Sequence, residues 1–85
     1  MNKDRRERLA DVESTIEEAV DQIQDLIDEE QEAIDNLPDS LQESARAMVM
    51  SEAIEDMEDL IDKLCNFEDL LSRTVEKYSN KKQSK

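Results

Sequence analysis

Apolar side chains recur every three or four residues along two long stretches of this chain, which a short polar segment separates. A spacing that alternates between three and four residues is typical of one face of an α-helix. Neither stretch contains glycine or proline, so the local sequence favours uninterrupted helices. The pattern predicts one helix over residues 4–35 and a second over residues 40–78.

The segment between the helices, residues 36–39, is predicted to be a turn. Pro38 disfavours helical backbone at the residue before it and so ends the first helix. Asp39 or Ser40 can cap the start of the second helix. Because so short a turn makes the two helices antiparallel neighbours, the sequence predicts an all-α fold. We expect a single domain over residues 1–85, built as an antiparallel two-helix hairpin.

Each helix has a continuous apolar line with further apolar positions beside it. Such a stripe is wider than the contact between two helices requires, so we expect the hairpin to self-associate. A homodimer would form a four-helix bundle, and a higher helical oligomer fits the same pattern. The line of the first helix is Leu9, Val12, Ile16, Ala19, Ile23 and Leu26, flanked by Val20, Ile27 and Ile34; that of the second is Met50, Ala53, Met57, Leu60, Leu64, Phe67, Leu71, Thr74 and Tyr78, flanked by Ile54, Ile61 and Val75.

The composition excludes most kinds of catalytic site. The 85 residues include no glycine, no histidine and one cysteine, Cys65, which is expected to be an unpaired thiol. Without glycine the chain lacks the usual phosphate-binding loops, and without histidine it lacks the common zinc sites and catalytic triads. We therefore expect no enzyme activity, no cofactor and no metal site. Apolar runs are too short for a signal peptide or a membrane span, which predicts a cytoplasmic protein that does not bind membranes.

The net charge of −13 is unevenly distributed along the chain. Residues 1–8 and 73–85 together hold nine basic and three acidic side chains, a net charge of +6 at one end of the hairpin. Residues 9–72 hold 21 acidic and two basic side chains, a net charge of −19. The last part of the basic end, residues 79–85, is predicted to be a disordered tail. The acidic body argues against direct binding to nucleic acid, whose backbone is also negative.

Acidic side chains form a row opposite the apolar stripe of each helix, without interspersed lysine or arginine. The eight like-charge neighbours along these rows cost about 2–4 kcal/mol of stability at low salt. Successive acids rise about 4.5–6 Å along the helix, a spacing comparable to that of phosphates on a nucleic-acid strand. We predict that the rows bind a basic partner surface by imitating a nucleic-acid backbone. The predicted partner-binding residues are Glu18, Asp21, Asp25, Asp28, Glu32 and Asp35 in the first helix and Glu52, Glu55, Asp59 and Asp62 in the second.

The turn offers an alternative site, for a small anion. Ser40, Gln42, Ser44 and Arg46 are expected in the first two turns of the second helix, beside Asn36. Free amides at a helix N-terminus, together with an arginine, can hold a phosphate. In an oligomer, several copies of this segment would line a pocket, and the protein would act as a sponge for a small nucleotide signal. A passive structural or assembly adaptor without a ligand is a third hypothesis.

The turn sequence also carries a family resemblance. The segment Asn36-Leu37-Pro38-Asp39-Ser40-Leu41-Gln42-Glu43-Ser44 follows Arg5-Arg6-x-Arg8-Leu9 and lies between acidic helices. With its Asn-Leu-Pro-x-Ser-Leu-Gln turn, the chain resembles small acidic helical proteins of tailed bacteriophages over residues 5–70. That resemblance implies expression in an infected bacterium, among accessory genes that often disarm host defences. The leading hypothesis is a non-enzymatic anti-defence inhibitor that blocks a basic, nucleic-acid-binding surface of a host defence protein in the host cytoplasm.

Overall fold

Two long antiparallel helices make up most of the structure, a computed structural model that describes residues 1–81. Helix α1 spans Lys3–Asp35, a short 3-10 turn spans Asp39–Leu41, and helix α2 spans Ala45–Lys81. The hairpin is a rod of 68 × 15 × 11 Å, two helices wide. Its radius of gyration is 19.3 Å, whereas a compact domain of this length would have about 12 Å. The predicted all-α hairpin is confirmed, and no strand occurs within residues 1–81.

Helix α1 begins one residue before its predicted start and ends at the predicted residue. At the N-terminus, the side-chain oxygen of Asn2 accepts a hydrogen bond from the backbone N–H of Arg5 at 2.9 Å. This bond satisfies one of the amides that the first turn of a helix leaves without a partner. At the other end, the N–H of Asn36 still donates to the carbonyl of Glu32 at 3.0 Å. Pro38 then follows, and it has no N–H with which to continue the helix.

Helix α2 begins later than predicted, at Ala45 rather than at Ser40, and its capping residue differs. The residues from Asp39 to Leu41 form the 3-10 turn, with no side-chain cap before it. Ser44 caps α2 instead, because its hydroxyl oxygen accepts a hydrogen bond from the backbone N–H of Ala47 at 3.3 Å. The predicted start of the second helix and its predicted caps are therefore wrong.

The connection is longer than predicted because the chain has to cross from the axis of one helix to that of the other. Gln42 stabilises this crossing. Its side-chain amide donates to the carbonyl of Leu37 at 3.0 Å and to that of Ile34 at 3.3 Å. These carbonyls lie at and just beyond the C-terminal end of α1, where the helix itself supplies no donor.

The C-terminal end of α2 also differs from the prediction. The helix continues to Lys81, past its predicted end at residue 78. The first part of the predicted disordered tail is therefore helical. Residues 82–85, the rest of that predicted tail, lie outside the described residues.

The contact between the helices follows an unbroken heptad repeat. Shielded side chains recur at alternating steps of three and four residues in both helices, as positions a and d of a coiled coil do. Ala47, Ile27 and Leu71 are the most deeply buried, with exposures of 3%, 7% and 7%. The seam consists of Arg6, Leu9, Glu13, Ile16, Val20, Ile23, Ile27, Glu30 and Ile34 in α1 and Ala47, Met50, Ile54, Met57, Ile61, Leu64, Glu68, Leu71, Val75 and Tyr78 in α2.

This seam differs from the predicted apolar lines, about half of which lie outside it. Val12 is 40% exposed, Leu26 and Leu60 are 51% exposed, and Phe67 is 50% exposed. Each helix is instead rotated so that valine or isoleucine occupies six of the ten a positions of the seam. The seam residues that the prediction had placed at the flanks are Val20, Ile27, Ile34, Ile54, Ile61 and Val75.

Candidate partner-binding surface

The two broad sides of the hairpin differ in polarity. In an antiparallel pair, the g positions of both helices flank the seam on one side and the e positions flank it on the other. We call the g side the apolar face. Its middle part consists of Val12, Ala19, Leu26, Ala53, Leu60 and Phe67, with Val49 and Leu70 on its outer rim, and Arg5 and Arg46 occupy g positions nearer its two ends. The opposite side is polar and exposes Glu17, Gln24, Gln31, Ser51, Glu58 and Cys65.

The ten predicted partner-binding acids lie at the outer edges of the hairpin, toward its polar side. They occupy heptad positions b and f, which point away from the seam and from the apolar face. All ten side chains are exposed. The α1 row is Glu18, Asp21, Asp25, Asp28, Glu32 and Asp35, and the α2 row is Glu52, Glu55, Asp59 and Asp62.

The two rows lie along the same half of the rod. Glu68 of α2 lies close to Glu13 of α1, so residues whose numbers add up to about 81 share a level. The α1 row, residues 18–35, is therefore level with residues 46–63, which include the whole α2 row. Ten acids along about 26 Å of helix correspond to roughly one charge per 2.6 Å. Duplex DNA carries about one charge per 1.7 Å, so the rows reach about two-thirds of its linear charge density.

Most of the row carboxylates are free to meet a partner. Asp59 forms an ion pair with Lys63 at 2.6 Å. Asp28 and Asp35 each accept a hydrogen bond from a glutamine amide one turn earlier, at 3.2 and 3.1 Å. Exposed contacts of this kind contribute little to stability and exchange readily with other partners. The other seven carboxylates make no hydrogen bond or ion pair with the described residues.

The residues of the alternative anion site are only partly available. The amide of Gln42 donates to two carbonyls at the end of α1, and the hydroxyl of Ser44 donates to a carbonyl of the turn at 2.7 Å. Asn36 and Ser40 are exposed. Arg46 forms no ion pair within the described part of the chain. Of this set only Arg46 lies in α2, because the helix begins after the other four.

A cluster of carboxyl groups lies in the seam, in the half of the rod that holds the chain ends. Glu68 of α2 faces Glu17 and Glu13 of α1, and its Oε2 atom is shielded from solvent without a hydrogen-bond partner among the described residues. Desolvation raises the pKa of the Glu68 carboxyl above its usual value of 4.5, and the carboxyls of Glu17 and Glu13 raise it further. Sequence reasoning missed this cluster, because Glu13 and Glu68 lie outside the apolar lines that it assigned to the seam.

Basic side chains at the end that holds the chain termini are partly neutralised by acids one turn away. Arg8 pairs with Asp4 at 3.4 Å, and Arg73 pairs with Asp69 at 2.9 Å. Both pairs are exposed, so they hold their side chains only weakly. The basic residues of this end therefore remain able to contact other molecules.

The described part of the chain offers neither a membrane-spanning segment nor a cluster of metal ligands. Within residues 1–81, neither helix has a segment that is both long and apolar enough to cross a bilayer. The described side chains also include no group of three or more acidic or cysteine residues placed to hold a metal ion. Comparisons of this chain with protein-family models, with curated proteins and with solved structures find no match.

Proposed function

We propose that this hairpin is a non-enzymatic binding protein that occupies a basic, nucleic-acid-binding surface of another protein. The observation that supports the proposal is the pair of acidic rows at one level of the rod. Their ten carboxylates are exposed, and seven of them have no partner within the described residues. A linear charge density about two-thirds of that of duplex DNA would attract the same basic grooves over long range and accelerate association.

The resemblance to small acidic phage proteins suggests where this binding takes place. In an infected bacterium, the target would be a host defence protein that binds nucleic acid, and the hairpin would compete with that nucleic acid as an anti-defence inhibitor. The hairpin itself would not bind nucleic acid, since both carry negative charge.

We also propose that the working form is a self-associated hairpin, such as a homodimeric four-helix bundle. The described residues include no fully buried large side chain, and among them only the apolar residues Ile27, Ala47 and Leu71 are buried. Small helical proteins gain most of their stability from a packed apolar core. A second copy would cover apolar side chains that a single hairpin leaves exposed.

Affinity capture from a bacterial lysate tests the proposed target. The immobilised hairpin is expected to retain a basic protein at 50 mM NaCl, and duplex DNA or 300 mM NaCl should release it, because the contacts resemble those to phosphates. The triple variant Asp21→Asn, Asp25→Asn, Asp28→Asn should capture at least tenfold less of that protein. A triple variant outside the rows, Glu7→Gln, Glu43→Gln, Glu76→Gln, loses the same net charge and should capture as much as the wild type. Equal capture by both variants would contradict the proposal.

The nucleotide sponge is the weaker alternative, because the side chains of Gln42 and Ser44 already take part in the turn. It keeps one supporting observation: Arg46, in the first turn of α2, forms no ion pair with the residues that the structure describes. A nucleotide that binds only the folded protein must raise its melting temperature. A panel of cyclic and linear nucleotides that produces no such rise, with wild type and Arg46→Ala alike, would eliminate this alternative.

A further inference from the structure

Large exposed apolar side chains are concentrated on one side of the hairpin. On the apolar face, Leu26, Leu60 and Phe67 are each about half exposed, and the rim residues Val49 and Leu70 are 63% and 59% exposed. The residues that the opposite side exposes at the equivalent positions, Glu17, Gln24, Gln31, Ser51, Glu58 and Cys65, include no large apolar side chain. Continuous apolar surface of this kind on a small protein typically marks an interface. We therefore expect another molecule to cover the apolar face.

The apolar pattern of this face is almost the same when it is read in either direction along the rod. Its centre is the level that Ala19 of α1 shares with Leu60 of α2. In α1, Val12 and Leu26 are each seven residues from Ala19. In a twofold-symmetric interface, residue i contacts residue j of the other copy and j contacts i, so a surface that reads alike in both directions fits an antiparallel copy of itself. The matching pairs in α2 are Ala53 with Phe67, each seven residues from Leu60, and Val49 with Leu70, eleven and ten residues from it.

We infer that the apolar face binds a second copy of this chain in antiparallel orientation, with the twofold axis at the level of Ala19 and Leu60, an inference that rests on the self-association proposed above. Rotation about that axis places α1 of one copy on α1 of the other copy, and α2 of one copy on α2 of the other. The largest side chain of the face, Phe67, then meets the small Ala53 of the second copy. Leu60 meets Leu60 of the second copy at the centre.

Charges at the rim of the face favour this orientation over the parallel one. The rim positions of α1 include Arg8 and Glu29, which are eleven and ten residues from Ala19. In the antiparallel dimer, Arg8 therefore meets Glu29 of the second copy. In the parallel dimer, α1 lies on α2 instead, and Glu29 approaches Asp56 of the second copy, which has the same charge. The exposed pair of Arg8 with Asp4 is weak enough to exchange for the new contact.

A second pair of rim charges, in α2, also favours the antiparallel orientation. Asp56 and Lys63 lie four and three residues from Leu60, on opposite sides of the axis. The antiparallel dimer brings Asp56 of each copy to Lys63 of the other copy, twice by symmetry. The parallel dimer offers Lys63 no acid at the rim of the opposite helix. Opposite charges placed in this way fix the register and orientation of an interface more than they add affinity.

The broad side that carries the apolar face is large enough for a stable dimer. The rod is 68 Å long and 15 Å wide, which gives a broad side of about 1,000 Å². A standard protein interface buries about 800 Å² on each partner. A second copy that covers this whole side, with the apolar face at its centre, therefore reaches the size of a standard interface.

The antiparallel arrangement has a consequence for the proposed partner. The acidic rows lie at outer edges of the hairpin, toward the side that the dimer leaves exposed. They also lie in the half of the rod near the turn, residues 18–35 and 46–63. Two antiparallel copies thus present two acidic surfaces at opposite ends of the dimer, and each dimer would bind two partner molecules.

Sedimentation and spin-label distances test the inference with the full chain. The wild type should sediment as a dimer at micromolar concentration, and Leu60→Glu should weaken dimerisation at least tenfold, because it buries a charge at the axis. Met48→Glu is the matched control, since Met48 is 64% exposed but lies off the face. It should remain a dimer. Leu60→Ala, measured together with helix content by circular dichroism, covers the case in which Leu60→Glu does not fold.

Orientation is measured with a spin label at Gln31→Cys in a Cys65→Ser background. Gln31 is twelve residues from Ala19, so the antiparallel dimer predicts a distance of about 36 Å between the two labelled backbones. The parallel dimer predicts about 15 Å, because the two α1 helices then lie diagonally across the bundle at one level. The short distance would overturn the antiparallel inference and leave self-association standing. A dimer that tolerates both Leu60 variants would overturn the choice of face, and a monomer would overturn the inference together with the self-association on which it rests.

Discussion

Glu17 of α1 and Glu68 of α2 point their carboxyl groups at each other across the seam. The Oε2 atom of Glu68 is shielded from solvent and has no hydrogen-bond partner among the described residues. Two ionised carboxylates cannot hydrogen-bond, because neither carries a proton to donate. When Glu68 binds a proton, the same contact becomes an O–H···O hydrogen bond. The contact between the carboxyl groups of Glu17 and Glu68 is therefore more favourable when Glu68 is protonated, because a hydrogen bond replaces the repulsion between two charges.

We expect the hairpin to become more stable as the pH falls from neutral toward 4.5, the usual pKa of a glutamate carboxyl. Desolvation, and then Glu17 and Glu13, raise the pKa of Glu68 in the folded chain above 4.5, the usual value. Between 4.5 and the raised pKa the folded chain binds a proton that the unfolded chain does not, so stability is lost as the pH rises through this window. Thermal melts followed by circular dichroism at several pH values would measure the effect.

Glu68→Gln identifies the residue that is responsible. The variant removes the shielded charge and keeps a side chain that can donate, so it should melt at a higher temperature than the wild type at pH 7.5. Its melting temperature should also change less with pH. Glu58→Gln, at an exposed position of the same helix, should keep the wild-type pH dependence. If both variants keep it, the pH effect does not originate at Glu68.

The register of the seam could not be read from periodicity alone. Each helix has apolar residues along three neighbouring lines, and all three lines repeat with the period of a helix. The period therefore does not show which two lines contact the other helix. The line of Val12 and Leu26 therefore competes with the line of Val20 and Ile27. Glutamates at seam positions made the true line look interrupted. The signal that would have decided the question is the concentration of valine and isoleucine at one heptad position, since they occupy six of the ten a positions of the seam.

Ile27→Ala tests that register directly. Ile27 is 7% exposed, so its truncation should lower the free energy of unfolding by about 2–4 kcal/mol, the usual cost of a cavity in a core. Met48→Ala, at a side chain that is 64% exposed, should change it by no more than about 0.5 kcal/mol. Urea denaturation followed by circular dichroism provides both values. A small effect of Ile27→Ala would mean that Ile27 is not in the seam.

Ser44→Ala tests where α2 begins. The hydroxyl oxygen of Ser44 accepts from the N–H of Ala47 at 3.3 Å and the hydroxyl donates to the carbonyl of Leu41 at 2.7 Å. Loss of an N-cap of this kind costs about 1 kcal/mol. Ser40→Ala, four residues earlier, should be nearly neutral in the same denaturation experiment. The opposite order of the two effects would place the cap at Ser40 and contradict the observed start of α2.

The acidic rows were easier to predict from the sequence than the apolar face. A helical period is enough to align Asp21 with Asp25 and Asp28, whichever line of the helix is buried. The apolar face depends on both helices at once, because Leu26 and Leu60 come to the same side only when each helix is rotated correctly. To predict the apolar face, one must know how each helix is rotated about its axis and which residues of the two helices lie at the same level. The apolar period of a single helix gives neither.

Asp25→Lys separates the stability of the α1 row from its proposed function. Asp25 has acidic neighbours three or four residues away at Asp21, Asp28 and Glu29, so a lysine there replaces repulsion by attraction. Each such neighbour contributes about 0.2–0.5 kcal/mol in either direction, which predicts a gain of about 1–3 kcal/mol in the free energy of unfolding at low salt. Asp25→Asn should give about half of that gain, and 500 mM NaCl should reduce both. If the row binds a basic partner, the more stable Asp25→Lys protein should capture that partner less well than the wild type. A variant that gains stability and captures as much partner would show that the charge at Asp25 is not needed for binding.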